Sequence, residues 1–226
     1  MDEKRCKEIA LELNLQTVEK PSVLFGILKQ SHYRLEEKVG FLLHWYGWHG
    51  KRDYVSADLK KALNTNYPLF QGGINFIRQF GNLILPGKCT SSCQGSHILL
   101  SFIWEPVILE GVSHHFGERV IPIGVEHLFD DYEENVADCW EDISIPPDEL
   151  DYDCITLFLG ESGKVYWLCY DSDSLGIAGN SILDFFASRF SLIDDFNAFS
   201  TRSLWTVEDK KIMHDYKKSM LEVETN

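Results

Sequence analysis

The stretch Phe70 to Gly87, FQGGINFIRQFGNLILPG, decides the fold. Ile74, Ile77 and Phe76 or Phe80 recur at helical spacing, which predicts a helix with one face in a core. Gly81-Asn82 ends it, because both residues tolerate positive φ and glycine is the usual stop just past a helix; Gly81 is expected to hold the left-handed position. Leu83-Ile84-Leu85 then reads as a short strand running into the turn signal Pro86-Gly87. Helix, stop and strand make one unit against which a small sheet can be laid down.

Upstream of this unit the periodicity is helical. Cys6, Ile9, Ala10 and Leu13 form a narrow apolar stripe, and Pro21-Ser22 is expected to end that region. Leu35, Val39, Leu42 and Leu43 predict a second helix from about Leu35 to Trp45, stopped at Gly47. Ser56 can cap a third with Leu59, Ala62 and Leu63 inward. Downstream the period shortens. Ile98–Trp104, Val120–Ile123, Cys154–Leu159 and Lys164–Tyr170 are short runs rich in β-branched and aromatic residues, with Gly160–Gly163 as a hairpin loop. Ile182, Phe185, Phe186 and Phe190 return to helical spacing and should lie across the sheet, and Thr206 can cap a last helix bearing Ile212, Met213, Tyr216 and Met220. Helices, then strands, then helices predict an α+β fold with a mixed or antiparallel sheet flanked by helices.

The 226 residues suffice for one domain with a sizeable core, and 44% hydrophobic and 13% aromatic content place the chain among globular proteins. No apolar run approaches the ~20 residues that span a bilayer. The N-terminus, MDEKRCKEIALELN, has no apolar signal core, and the six cysteines follow no framework spacing. A cytoplasmic protein with reduced thiols is expected.

The formal net charge is −14, concentrated in one place: residues 126–153 hold twelve acids and no Lys or Arg, leaving 23 acids against 21 bases elsewhere. Such a chain repels nucleic-acid phosphates and anionic membranes and attracts a basic partner. Phe129, Tyr132, Trp140, Ile143 and Ile145 are interleaved with the charges. Solubilising tails have few aromatics, whereas rings set among charges suit a protein interface, the charges setting the association rate and the rings the contact energy.

Other constellations have weaker chemistry. Cys89, Cys93 and His97 lack the second ligand pair that a structural zinc site uses, so they read as a polar loop between strands, and no metal is expected. No cysteine sits in a nucleophile motif, so no enzyme is expected, and no cofactor motif is present. Asp171-Ser172-Asp173-Ser174 lacks the glycine and the terminal glutamate of a calcium loop. Trp48 and Arg52, in GWHGKR, read as a fold-stabilising turn.

Five motifs in order, Gly47-Trp48-His49-Gly50-Lys51-Arg52, the central stretch, Ile121-Pro122-Ile123-Gly124, Gly163-Lys164-Val165-Tyr166-Trp167 and Leu175-Gly176 leading into Ile182–Phe186, resemble the SUKH superfamily, and most of all its third branch of bacterial toxin-immunity proteins. The resemblance covers about Leu35 to Phe190. It implies a SUKH-like (Smi/Knr-type) fold over residues 35–200 with an acidic insertion at 126–153, an N-terminal helical extension at 1–34 and a C-terminal helix at 201–226. It also implies a non-enzymatic function: binding and neutralising a cognate protein toxin, often a nuclease and expected to be basic by charge complementarity. A regulatory scaffold of the same superfamily is the alternative. The expected partner-binding residues are Phe129, Asp130, Asp131, Tyr132, Glu133, Glu134, Asp138, Trp140, Glu141 and Asp142.

Overall fold

Three helices begin at a polar side chain that accepts a hydrogen bond from the backbone three residues on: Asp2 from Arg5 (2.8 Å), Ser56 from Leu59 (3.0 Å) and Ser181 from Asp184 (3.1 Å). They open α1 (Glu3–Glu12), α4 (Ala57–Leu63) and α7 (Ile182–Arg189) in a computed structural model that describes residues 1–18, 20–50, 52–65, 67–86, 95–102, 106–129, 154–169 and 174–193. Pro21 does not end a helical region as expected but opens α2 (Pro21–Gln30), because the first helical position needs no N–H and proline's fixed φ suits it. α3 (Leu35–Trp45) has the expected bounds, and Gly47 follows it at φ 90°. In α4, Leu59 and Ala62 point inward as expected, while Leu63 is half exposed.

The central unit forms as helix α5 (Gln71–Phe80) and strand β1 (Leu83–Pro86). The break between them works differently from the expectation. Gly81 has φ −55° and ψ 145°, and the left-handed residue is Asn82 at φ 59°. Asn82 N–H donates to the carbonyl of Leu100 (2.7 Å), which starts the pairing of β1 with β2 (Gly95–Leu100).

After β2 come α6 (Pro106–Phe116), β3 (Val120–Phe129), β4 (Cys154–Gly160), β5 (Val165–Cys169) and β6 (Ser174–Gly179). The six strands of the described residues join one antiparallel sheet in chain order, a meander in which each strand pairs with its sequence neighbours. The β4–β5 turn is the expected one, with Gly163 at φ 87°. The protein is thus α+β with an antiparallel sheet. Ser174 belongs to β6. Of the strand expected over Ile98–Trp104, the part to Leu100 lies in β2, Ser101 N–H still bonds the Ile123 carbonyl at 2.9 Å, and 103–104 lie outside the described residues.

Alternation on the strands divides the sheet between two cores. One face contributes Ile98, Leu100, Ile121, Ile123, Leu157, Leu159, Val165 and Trp167 to a core closed by α1 to α5 and α7. Residues 1–34 share that core: Ile9, Leu15, Leu24 and Leu28 are fully buried in it. Phe185, Phe186 and Phe190 of α7 and its C-terminal flank are buried there too, each worth about 2–3 kcal/mol by removal from water. The other face presents Val120, Phe158, Tyr166, Leu168 and Leu175 to Leu109 and Val112 of α6. Gly179 lets α7 start close to the sheet, since a Cβ there would stand 2.6 Å from the Phe185 nitrogen.

Candidate partner-binding site

Strands β3 and β4 are adjacent and antiparallel, with His127 opposite Cys154, so the chain leaves and re-enters the sheet at neighbouring positions. Two to five residues close such a hairpin. Here the connection is 24 residues, 130–153, with eleven of the chain's 35 acids. Phe129 ends β3 opposite Gly95. The remaining expected partner-binding residues, Asp130, Asp131, Tyr132, Glu133, Glu134, Asp138, Trp140, Glu141 and Asp142, lie outside the described residues, as does the C-terminal helix expected at 201–226. The pairings of Pro86 with His97 and of Cys169 with Ser174 put the roots of connections 87–94 and 170–173 at the same end of the sheet.

One acid counted in the acidic segment is not surface charge. Glu126 lies within β3 and is 3% exposed. Both its carboxylate oxygens are 2.9 Å from Nη1 of Arg189, whose side chain is 12% exposed and whose guanidinium stands over the Phe185 ring at 5.5 Å. A buried carboxylate needs such a partner, and one turn of α7 supplies it. The other eleven acids of the segment follow β3, at 130–153.

At the opposite end of the sheet a second polar cluster fixes the β4–β5 turn. Glu118 accepts hydrogen bonds from the Tyr166 hydroxyl, the Ser162 N–H (2.6 Å) and the Ser162 hydroxyl (2.8 Å). Arg119 forms a two-pronged ion pair with Glu161, whose N–H bonds the Arg119 carbonyl at 2.9 Å. Burial pushes the Glu118 carboxyl up, but the Tyr166 and Ser162 hydrogen bonds outweigh it and hold the group below the usual glutamate range. Burial, with the bond to Glu118, pushes the Tyr166 hydroxyl well up. All these groups satisfy one another, which makes the cluster a clamp on the turn.

A carboxyl whose pKa is lowered by folding stabilises in full above its unfolded value, and that stability is lost as pH falls through the folded value. Glu118→Gln is therefore expected to cost about 1–2 kcal/mol at neutral pH and to flatten the acid limb of stability against pH below about pH 4.5. Urea midpoints from pH 7 to pH 3 check this; parent and variant curves that stay parallel would show that the carboxylate is already solvated.

The other candidate residues serve the fold where they are described. Trp48 stacks on Phe80 (5.4 Å, 23°), and Arg52 donates to the Asn82 carbonyl at 3.5 Å. Cys89 and Cys93 lie outside the described residues; His97 is in β2 opposite Pro86 and His127, and His114 and His115 are in α6. Among the described residues no group of three or more His, Cys, Asp or Glu is placed to hold a metal. Burial pushes the Cys6 thiol up, away from the thiolate a nucleophile requires. Among the described residues no helix is long and apolar enough to cross a membrane. Comparisons with family models, curated proteins and solved structures found no match to this chain.

Proposed function

We propose that this chain is a SUKH-like immunity protein that binds and neutralises a cognate protein toxin in the cytoplasm, using the connection at 130–153 as its recognition surface. The observation that carries this reading is the connection itself. Two adjacent strands that a few residues could join are separated by a 24-residue segment holding eleven acids, no Lys or Arg, and the rings of Tyr132 and Trp140. Ordered strands root it at both ends, which limits the conformational freedom lost on binding. A nuclease toxin is basic because its substrate is a polyanion, and an acidic inhibitor meets the same field.

The reading predicts separable roles for charge and rings. Neutralising Asp130, Asp131, Glu133 and Glu134 together is expected to slow association and flatten its salt dependence, because peripheral charges act on encounter. Trp140→Ala is expected to speed dissociation and cost about 2 kcal/mol, the size of a hot-spot aromatic. Surface-binding kinetics at two salt concentrations, against the toxin domain encoded immediately upstream of this chain's gene, measure both. Parental kinetics in both variants would move the interface off this segment. An upstream gene without a toxin domain, with binding to signalling proteins instead, would favour the scaffold reading.

A further inference from the structure

Strand β3 falls out of step with β4 between Pro122 and Gly124: Pro122 lies opposite Phe158, but Gly124 opposite Leu157, so Ile123 is an extra residue. The sequence gives no apolar reason for this bulge. In an unbroken strand Ile121, Ile123 and Val125 would share the face toward the large core, and Glu126 would point the other way. With the bulge, Ile121 and Ile123 still reach that core, but Val125 is opposite Thr156, whose other cross-strand neighbour, Leu168, packs in the α6 core. Glu126, opposite Ile98 and Ile155, turns inward to Arg189. The bulged alignment gives up a ladder position and buries a charge. Gly124 tolerates it, since a Cβ there would stand 2.5 Å from the Leu99 carbonyl oxygen.

We propose that the Glu126–Arg189 pair is a register lock, holding β3 in the bulged alignment against an unbulged one that apolar alternation alone would select. A buried polar pair suits this task because it discriminates between alignments that hydrophobic contacts tolerate equally. The bond from Arg189 is end-on, through Nη1, and among the described residues Nε has no hydrogen-bond partner, so the pair is placed by the register more than by an optimal fork. A one-residue slip exchanges the faces of every residue beyond it, so the lock also sets how the 130–153 connection leaves the sheet. Only the use of that last effect rests on the partner reading; the register does not.

The test is the strand alignment seen by nuclear magnetic resonance, through cross-strand backbone contacts in the full chain. The parent is expected to show Val125 opposite Thr156. The variant Glu126→Thr/Arg189→Leu removes both charges of the pair and leaves a side chain at 126 with little preference for either face; it is expected to fold and to show Val125 opposite Ile155. The reversed pair, Glu126→Arg/Arg189→Glu, is expected to keep the parental contacts. A folded double variant with parental contacts overturns the lock, and so does one that fails to fold, since apolar alternation should then hold a regular strand. A reversed pair that loses the parental contacts also overturns it.

Discussion

Arg189→Leu is expected to lower the stability of the protein by about 3 kcal/mol, read as a fall in the denaturant midpoint with an unchanged slope. The variant removes the Arg189 guanidinium from Glu126, which is 3% exposed within the sheet. Removing one partner of a buried ion pair costs about 3–5 kcal/mol, and the freedom of β3 to turn Glu126 outward by slipping past the bulge sets the lower end. Lost packing of the Arg189 stem against Phe185 is offset by the leucine, so charge dominates. The double variant Glu126→Thr/Arg189→Leu is expected to cost only about 1 kcal/mol, because neither buried charge remains. The non-additivity is the signature: the second substitution relieves the first. A single variant within about 0.5 kcal/mol of the parent would mean that Glu126 is hydrated and the end of β3 is not sealed.

The pair spans 63 residues of chain, and nothing in either segment announces it. That is the general limit of what the residues reveal. Local period and punctuation place α3 at Leu35–Trp45, because an apolar stripe and a glycine with positive φ sit in one window. The turn at Gly160–Gly163 is legible for the same reason. β6, SLGIAG, is not, since glycine has low strand propensity; its glycine at 176 lies under the Trp167 ring, where a Cβ would stand 2.7 Å from Nε1. α6, PVILEGVSHHF, has a β-branched start and an internal glycine, so propensity argues against the helix that packing on Phe158 and Tyr166 selects. Bulge and buried acid were hidden by an alternation that looks regular from Ile121 to Val125. Composition located the candidate recognition segment, but it could not separate Glu126, taken up by the sheet, from the acids after Phe129.

Gly81→Val is expected to cost about 3 kcal/mol, and Gly81→Ala nearly as much, for a steric rather than a dihedral reason. The backbone at Gly81, φ −55° and ψ 145°, is open to any residue. The space is not. A Cβ built there meets the Tyr54 ring and stands 2.5 Å from the carbonyl oxygen of Ile77, the acceptor of Gly81's own N–H at 2.8 Å. Neither neighbour moves cheaply, since Tyr54 N–H is tied to the Arg78 carbonyl at 2.9 Å and Arg78 to Asp53 at 2.9 Å. Forced entry of a methyl costs about 1–3 kcal/mol in a packed site, and here it strains the hydrogen bond that ends α5 as well. Because the clash begins at the first carbon, alanine already incurs most of it. Asn82, which does hold the left-handed conformation, gives the contrast: Asn82→Gly is expected to stay within about 0.5 kcal/mol of the parent, and Asn82→Val to cost about 1–2. Thermal and urea unfolding of the four variants separate the two mechanisms. A stable Gly81→Ala would show that Tyr54 swings aside freely, and that the junction between α5 and β1 is held by Asn82 and its bond to Leu100 alone.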